Sequence, residues 1–218
     1  MSSDAAYSLP RDRPRAGGAL VVVLAVIAGC NAEQQPTGPS IAPALACQGY
    51  APEASSPNVL PYPPGEGHLI VQGNCSAGPT HLAGSVFKYG YDFEMPVGTP
   101  IHAARRGVVL GVEQRFADFN GPGGAPNYVW VRHDDGSVGR YWHGTRNGAR
   151  VEVGQAVQAG DLLALSGATG LTELPHLHFD VAECGPAATC HTLPVTFRNT
   201  SPHPNGLQYL QRYVARPH

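Results

Sequence analysis

The chain has 218 residues, a formal net charge of −2 at pH 7 and 42% hydrophobic residues. It carries no basic excess to meet a phosphate backbone, which excludes nucleic acid as the main partner. The 27 glycines and 21 prolines favour turns and short strands over long helices, and the length allows one domain with a sizeable core behind an unstructured leader.

The leader comes first. Arg11, Arg13 and Arg15 precede an apolar run over residues 19–28, which is too short for a permanent bilayer span. A positive segment followed by such a run reads as an export signal, here residues 1–29. The run ends Val26-Ile27-Ala28-Gly29-Cys30. That ending resembles the bacterial lipobox, in which the cysteine is lipidated and becomes the mature N-terminus, so Cys30 is the expected anchor. Residues 30–64 are rich in Pro, Ala, Ser, Gln and Gly and show little periodicity. Such a composition predicts a flexible tether.

With Cys30 set aside, Cys47, Cys75, Cys184 and Cys190 remain, an even number for an oxidising compartment. Four cysteines allow three pairings. Cys184 and Cys190 enclose a short Gly-Pro-containing loop, which favours Cys184–Cys190 together with Cys47–Cys75. A zinc cluster built from the same residues is disfavoured, because the paired Cys-x-x-Cys knuckles are missing.

A domain over residues 65–200 follows, with a tail over 201–218. Short β-type runs at 108–112, 128–133, 138–142, 162–165 and 177–181 read as strands. Turn signals separate them, and Asp135-Gly136 between two such runs predicts a hairpin. Residues 103–106 and 207–213 hint at helix. The expected class is all-β, an antiparallel sheet with a groove.

Leading into the last of these runs stands Pro175-His176-Leu177-His178-Phe179. On an extended strand alternate side chains leave by one face, so His176 and His178 share a cavity. Two neutral imidazoles suit zinc, or one can handle protons beside it.

Several pieces occur in one order: Pro96-Val97-Gly98-Thr99-Pro100, Gly107-Val108-Val109, Tyr141-Trp142-His143, glycines 154 and 160 in a Val-x-x-Gly run, Gly167-x-Thr169-Gly170, and the His-x-His strand. Together they resemble the LytM/lysostaphin-type M23 zinc metallopeptidases, which cut peptide cross-links in bacterial cell walls. The resemblance covers residues 89–181. It implies a LytM-like sheet with Zn2+ on the groove floor, Asp92 and His178 as ligands, and His143 and His176 beside the metal. Those two histidines then orient and deprotonate the attacking water and stabilise the tetrahedral oxygen.

One departure stands out. The family's first ligand is a histidine four residues before the aspartate, and position 88 holds Lys88. An ammonium has no lone pair to give. If Lys88 shares strand parity with Asp92, it pairs with that carboxylate and fills the place of the metal. His81 is the replacement candidate. Its odd separation from Asp92 points it to the opposite face of a continuous strand, so it needs a bend near residues 83–85 to reach the groove. Two functions therefore stay open. One is a lipid-anchored envelope peptidase acting on peptidoglycan peptides. The other is a degenerate module that binds peptidoglycan or an envelope protein partner without catalysis. Both are placed outside the cytoplasm, facing the periplasm or the cell exterior.

Overall fold

A computed structural model of the chain describes residues 47–75, 78, 80–185 and 189–218. Cys30, the export signal and the tether up to residue 46 lie outside the described residues. Among the described residues ten strands form, in chain order β1 Gly67–Gln72, β2 Tyr91–Glu94, β3 Pro100–His102, β4 Gly107–Glu113, β5 Tyr128–Arg132, β6 Val138–Trp142, β7 Ala156–Val157, β8 Leu162–Leu165, β9 His176–Ala182 and β10 Arg212–Val214. Eight of them make one sheet in the order β10-β1-β2-β9-β6-β5-β4-β7, and β3 pairs with β8 in a second. All the pairings are antiparallel.

The sheet centres on β9, which is buried along its whole length. Leu177, Phe179 and Val181 point to the core side, where Phe93, Val131, Tyr141 and Phe197 meet them. Each such side chain, fully buried, contributes about 1.5–3 kcal/mol. The residues between them, His176, His178 and Asp180, must leave by the other face. That face becomes the groove.

The β5–β6 hairpin pairs Arg132 with Val138. Gly136 takes φ +84° at its turn, and the Asp135 carboxylate accepts from the Ser137 amide and hydroxyl. This is the turn that the Asp-Gly pair predicts.

Four expectations need correction. Residues 47–64 are not tether. Val59, Leu60 and Tyr62 are almost fully buried, the Val59 amide donates to the Ala104 carbonyl, and a short 3-10 helix, Glu53–Ser55, lies in the same stretch. Apolar residues spaced among prolines pack here without any periodicity to announce it. Residues 201–218 are not a loose tail either, since β10 extends the sheet and Leu207, Tyr213 and Ala215 are buried. No helix forms at 103–106, where the Ala103 and Ala104 amides donate to the Asp161 carbonyl and the Tyr141 hydroxyl. None forms at 207–213, where Leu210 takes φ +60° and its amide donates to the Ile70 carbonyl. In both places tertiary partners satisfy the backbone donors that a helix would have used internally.

Disulfides join Cys47 to Cys75 and Cys184 to Cys190, with Cα–Cα distances of 5.8 and 5.5 Å.

Candidate metal centre

The register of β2 against β9 sets Asp92 directly opposite His178 and Glu94 opposite His176. Two residues far apart in the chain thus meet as cross-strand neighbours, with no loop needed to bring them together. Asp92 Oδ1 lies 2.9 Å from His178 Nδ1. His81 arrives from outside the sheet, and its Nε2 stands 3.0 Å from His178 Nδ1 and 3.5 Å from Asp92 Oδ1. One ligating atom from each residue lies within 4.8 Å of the other two. Zinc bonds of ~2.0–2.1 Å in a tetrahedron put ligand atoms about 3–3.5 Å apart, so this triangle fits one ion.

His81 reaches the site because the chain before Asp92 is not a strand. Residues 82–90 run through successive turns, with the Ser85 amide donating to the Leu82 carbonyl, Lys88 to Ser85 and Gly90 to Phe87. The parity argument fails here, since β2 starts only at Tyr91. Gly90 leaves the room that the two imidazoles need. A Cβ there would sit 2.9 Å from His178 Cε1 and 3.0 Å from His81 Nε2.

Lys88, at the family's ligand position, turns away. Its Nζ stands 4.7 Å from the centre of the Tyr89 ring, and its amide belongs to the turns just described. Among the described residues, the nitrogens within ion-pair distance of Asp92 are those of His81, His176 and His178. The expected Lys88–Asp92 pair is therefore absent, because the turns remove the shared strand face.

The histidines are fixed by what their far nitrogens donate to. His81 Nδ1 donates to the Gly73 carbonyl at 3.3 Å. His178 Nε2 donates to Asp180 Oδ2 at 2.9 Å, and Asp180 is held in turn by Arg140, 2.6 Å from Nε to Oδ1, with both partners fully buried. A carboxylate behind a metal-binding imidazole orients the ring and raises its basicity. Burial pushes the His81 pKa down to about 4, only partly offset by the Asp92 charge, so the ring is neutral and has a lone pair to offer. Burial opposes the charged form of His178 too, but the bonds to Asp180 and Asp92 prevail and lift its pKa to about 9. Burial likewise opposes the charge on Asp92, yet the His178 hydrogen bond and the surrounding imidazoles hold it well below the usual carboxylate range. With the Nδ1 proton of His178 exchanged for the ion, two imidazoles and one anionic oxygen would make a donor set that suits a divalent ion of zinc's character.

His143 and His176 stand beside this triangle. Their ring centres are 4.5 Å apart, and His176 Nε2 is 3.8 Å from Asp92 Oδ1. His143 follows directly after β6 and takes φ +67°. On a continued strand it would follow Tyr141 and Trp142 back to the core side, and the left-handed residue aims it at the groove instead. Such backbone strain in a non-glycine residue clusters at functional sites. His143 Nδ1 donates to the Thr169 carbonyl at 2.7 Å and His176 Nδ1 to that of Leu174 at 2.8 Å, which leaves each Nε2 as the free lone pair. Burial, with the neighbouring His176 and His178, pushes the His143 pKa down to about 3. The groove wall is braced behind them. Asp118 Oδ1 accepts from the Ala168 amide at 2.7 Å, and Asn120 Oδ1 accepts from the Gly170 amide at 2.7 Å.

The sequence-predicted residues Asp92, His143, His176, His178 and His81 thus meet at one place. Residues 86–189 match the model of peptidase family M23. This stretch is an M23 domain. Peptidoglycan DD-endopeptidase ShyC of Vibrio cholerae is 38% identical over 91 residues, 42% of this chain and 19% of that protein. Glycyl-glycine endopeptidase ALE-1 of Staphylococcus capitis is also 38% identical over 91 residues, 23% of its length. The chain thus spans about a fifth of the length of these curated relatives. The catalytic domain of lysostaphin from Staphylococcus simulans superposes with a TM-score of 0.41 at 26% identity, covering 60% of this chain and 88% of that one. His81 lies outside the stretch that matches the M23 model, whereas the other four lie within it.

Sequence reasoning missed Asp180, Arg140 and the steric role of Gly90. A signal for the first was present, since Asp180 extends the His-x-His alternation by one more step on the same face.

Proposed function

We propose that this chain is a zinc metalloendopeptidase of the M23 type that hydrolyses peptide bonds in peptidoglycan stems or cross-links. It is exported and tethered to a membrane through a lipid on Cys30. The observation that carries the reading is the convergence of His81, Asp92 and His178 within 4.8 Å, with two further imidazoles whose Nε2 lone pairs are free. His81, Asp92 and His178 would hold the ion. When bound, zinc makes water nucleophilic at neutral pH and polarises a carbonyl.

The other steps belong to the side chains. Neutral His143, held by Thr169, offers Nε2 as acceptor for the proton of the attacking water. His176, held by Leu174, sits against the Asp92 edge and offers Nε2 as a second acceptor that orients the attacking water. The imidazolium formed on His143 donates to the oxygen that gains charge in the tetrahedral state. The buried Asp180–Arg140 pair keeps His178 in one tautomer throughout.

The degenerate-module reading rested on Lys88, and that side chain stands away from the ligand triangle. The test is incubation of the zinc-loaded chain with purified sacculi, with mass spectrometry of the released fragments. The expected result is new peptide amines that disappear on chelation and in His143→Ala. Sacculus binding with zinc bound and no bond cleaved would overturn the enzyme in favour of the binding module. For the anchor, Cys30→Ser is expected to release the protein from membranes, and persistent attachment would refute lipidation there.

A further inference from the structure

Asp92 and His178 face each other on paired central strands, and the ladder alone keeps them together. His81 belongs to no strand. Its distance from Asp92 is set by the turns that follow it and by how the chain before it is tied down. His81 Nδ1 donates to the Gly73 carbonyl and Gln72 Nε2 donates to Thr80 Oγ1. Cys75 adds a covalent tie. Its amide donates to the Lys88 carbonyl at 2.7 Å, it takes φ +44°, and it is bonded to Cys47. Cys47 is itself fixed, because the next residue, Gln48, accepts at its carbonyl from the Tyr89 hydroxyl at 2.9 Å. The Cys47 sulfur also approaches the same Lys88 carbonyl, at 4.0 Å. Residue 88 therefore carries no ligand, yet its backbone is the post against which the disulfide holds the loop bearing His81.

We propose that Cys47 and Cys75 are positioning residues of the zinc site, whose disulfide keeps His81 at the triangle so that tight zinc binding requires the oxidised protein. The inference rests on the reading of His81 as a ligand. It follows that the chain does not hold zinc tightly until it reaches an oxidising compartment. Outer supports of a metal ligand typically change affinity by about 10–100-fold when removed, and a covalent strap on the loop-borne ligand belongs at that level. The second disulfide, Cys184–Cys190, spans only 6 residues beyond the end of β9 and serves as the internal control.

The test uses the full chain in glutathione redox buffers. Exchange breaks the protein S–S bond and leaves two thiols, while two glutathione thiols give up their hydrogens to the protein sulfurs and join in one disulfide. Coupling between two sites is reciprocal at equilibrium, so bound zinc should favour closure of Cys47–Cys75 about tenfold or more and leave the Cys184–Cys190 equilibrium unchanged. An equal closure constant for Cys47–Cys75 with and without zinc would overturn the proposal, whether or not any variant folds. Zinc titration of C47S/C75S is expected to show about a tenfold or greater loss of affinity, with C184S/C190S as wild type. If His81→Ala binds zinc as wild type, the ligand reading has failed. If His81→Ala loses zinc while C47S/C75S retains it fully, only the positioning role has failed.

Discussion

The two sides of the ligand triangle are built differently. Asp92 and His178 come from β2 and β9, paired strands at the middle of an eight-stranded sheet, where burial, register and a buried Arg140–Asp180 pair fix every atom. His81 comes from a segment of turns fixed by side-chain hydrogen bonds and one disulfide. Under the proposed function, the comparison teaches that a ligand set can keep its chemistry while one histidine takes a different place in the chain. What matters is that a lone pair reaches the triangle, and the His81 imidazole does so from a segment that belongs to no strand.

Substitutions on the two sides test that contrast. The largest effect is expected from His178→Ala, which removes a ligand from the rigid side. Zinc measured by elemental analysis should fall from one equivalent to none, and hydrolysis with it, since zinc sites draw on about three or four protein ligands. His143→Ala comes next. Zinc should stay bound while the turnover of sacculi drops by about 10²–10⁴-fold, the usual loss for a proton-handling group. Asp180→Asn leaves the ligands intact but unties His178 and leaves Arg140 buried without its charge partner. Zinc affinity by competition titration should weaken about 10–100-fold, and thermal unfolding should show a loss of about 3–5 kcal/mol. The smallest effect is Lys88→Ala. Its ammonium stands over the Tyr89 ring, so zinc affinity should not change and stability should move by no more than about 0.5 kcal/mol. A large gain of zinc in that variant would put Lys88 back in the site.

Much of the rigid side was legible in the sequence. The i, i+2 spacing of His176 and His178 and the apolar residues between them dictate which face each takes, and Asp135-Gly136 dictates the hairpin that sets β5 against β6. Harder to read was anything that depended on where a strand begins. Parity from Asp92 back to His81 presumes extended backbone, and turns occupy residues 82–90 instead. Composition misled at residues 47–64. Prolines and small residues dominate the average, while Val59, Leu60 and Tyr62 individually fill the core. Asp180 continues the His-x-His alternation, but nothing in the sequence names Arg140 as its partner, and only their pairing across β6 and β9 brings them together.

The most direct check on the central claim is zinc K-edge X-ray absorption on the loaded chain, compared with His81→Ala. The account predicts two imidazole nitrogens and a carboxylate oxygen at about 2.0–2.2 Å in the wild type, with one imidazole lost in the variant. An unchanged two-imidazole spectrum in His81→Ala would contradict it.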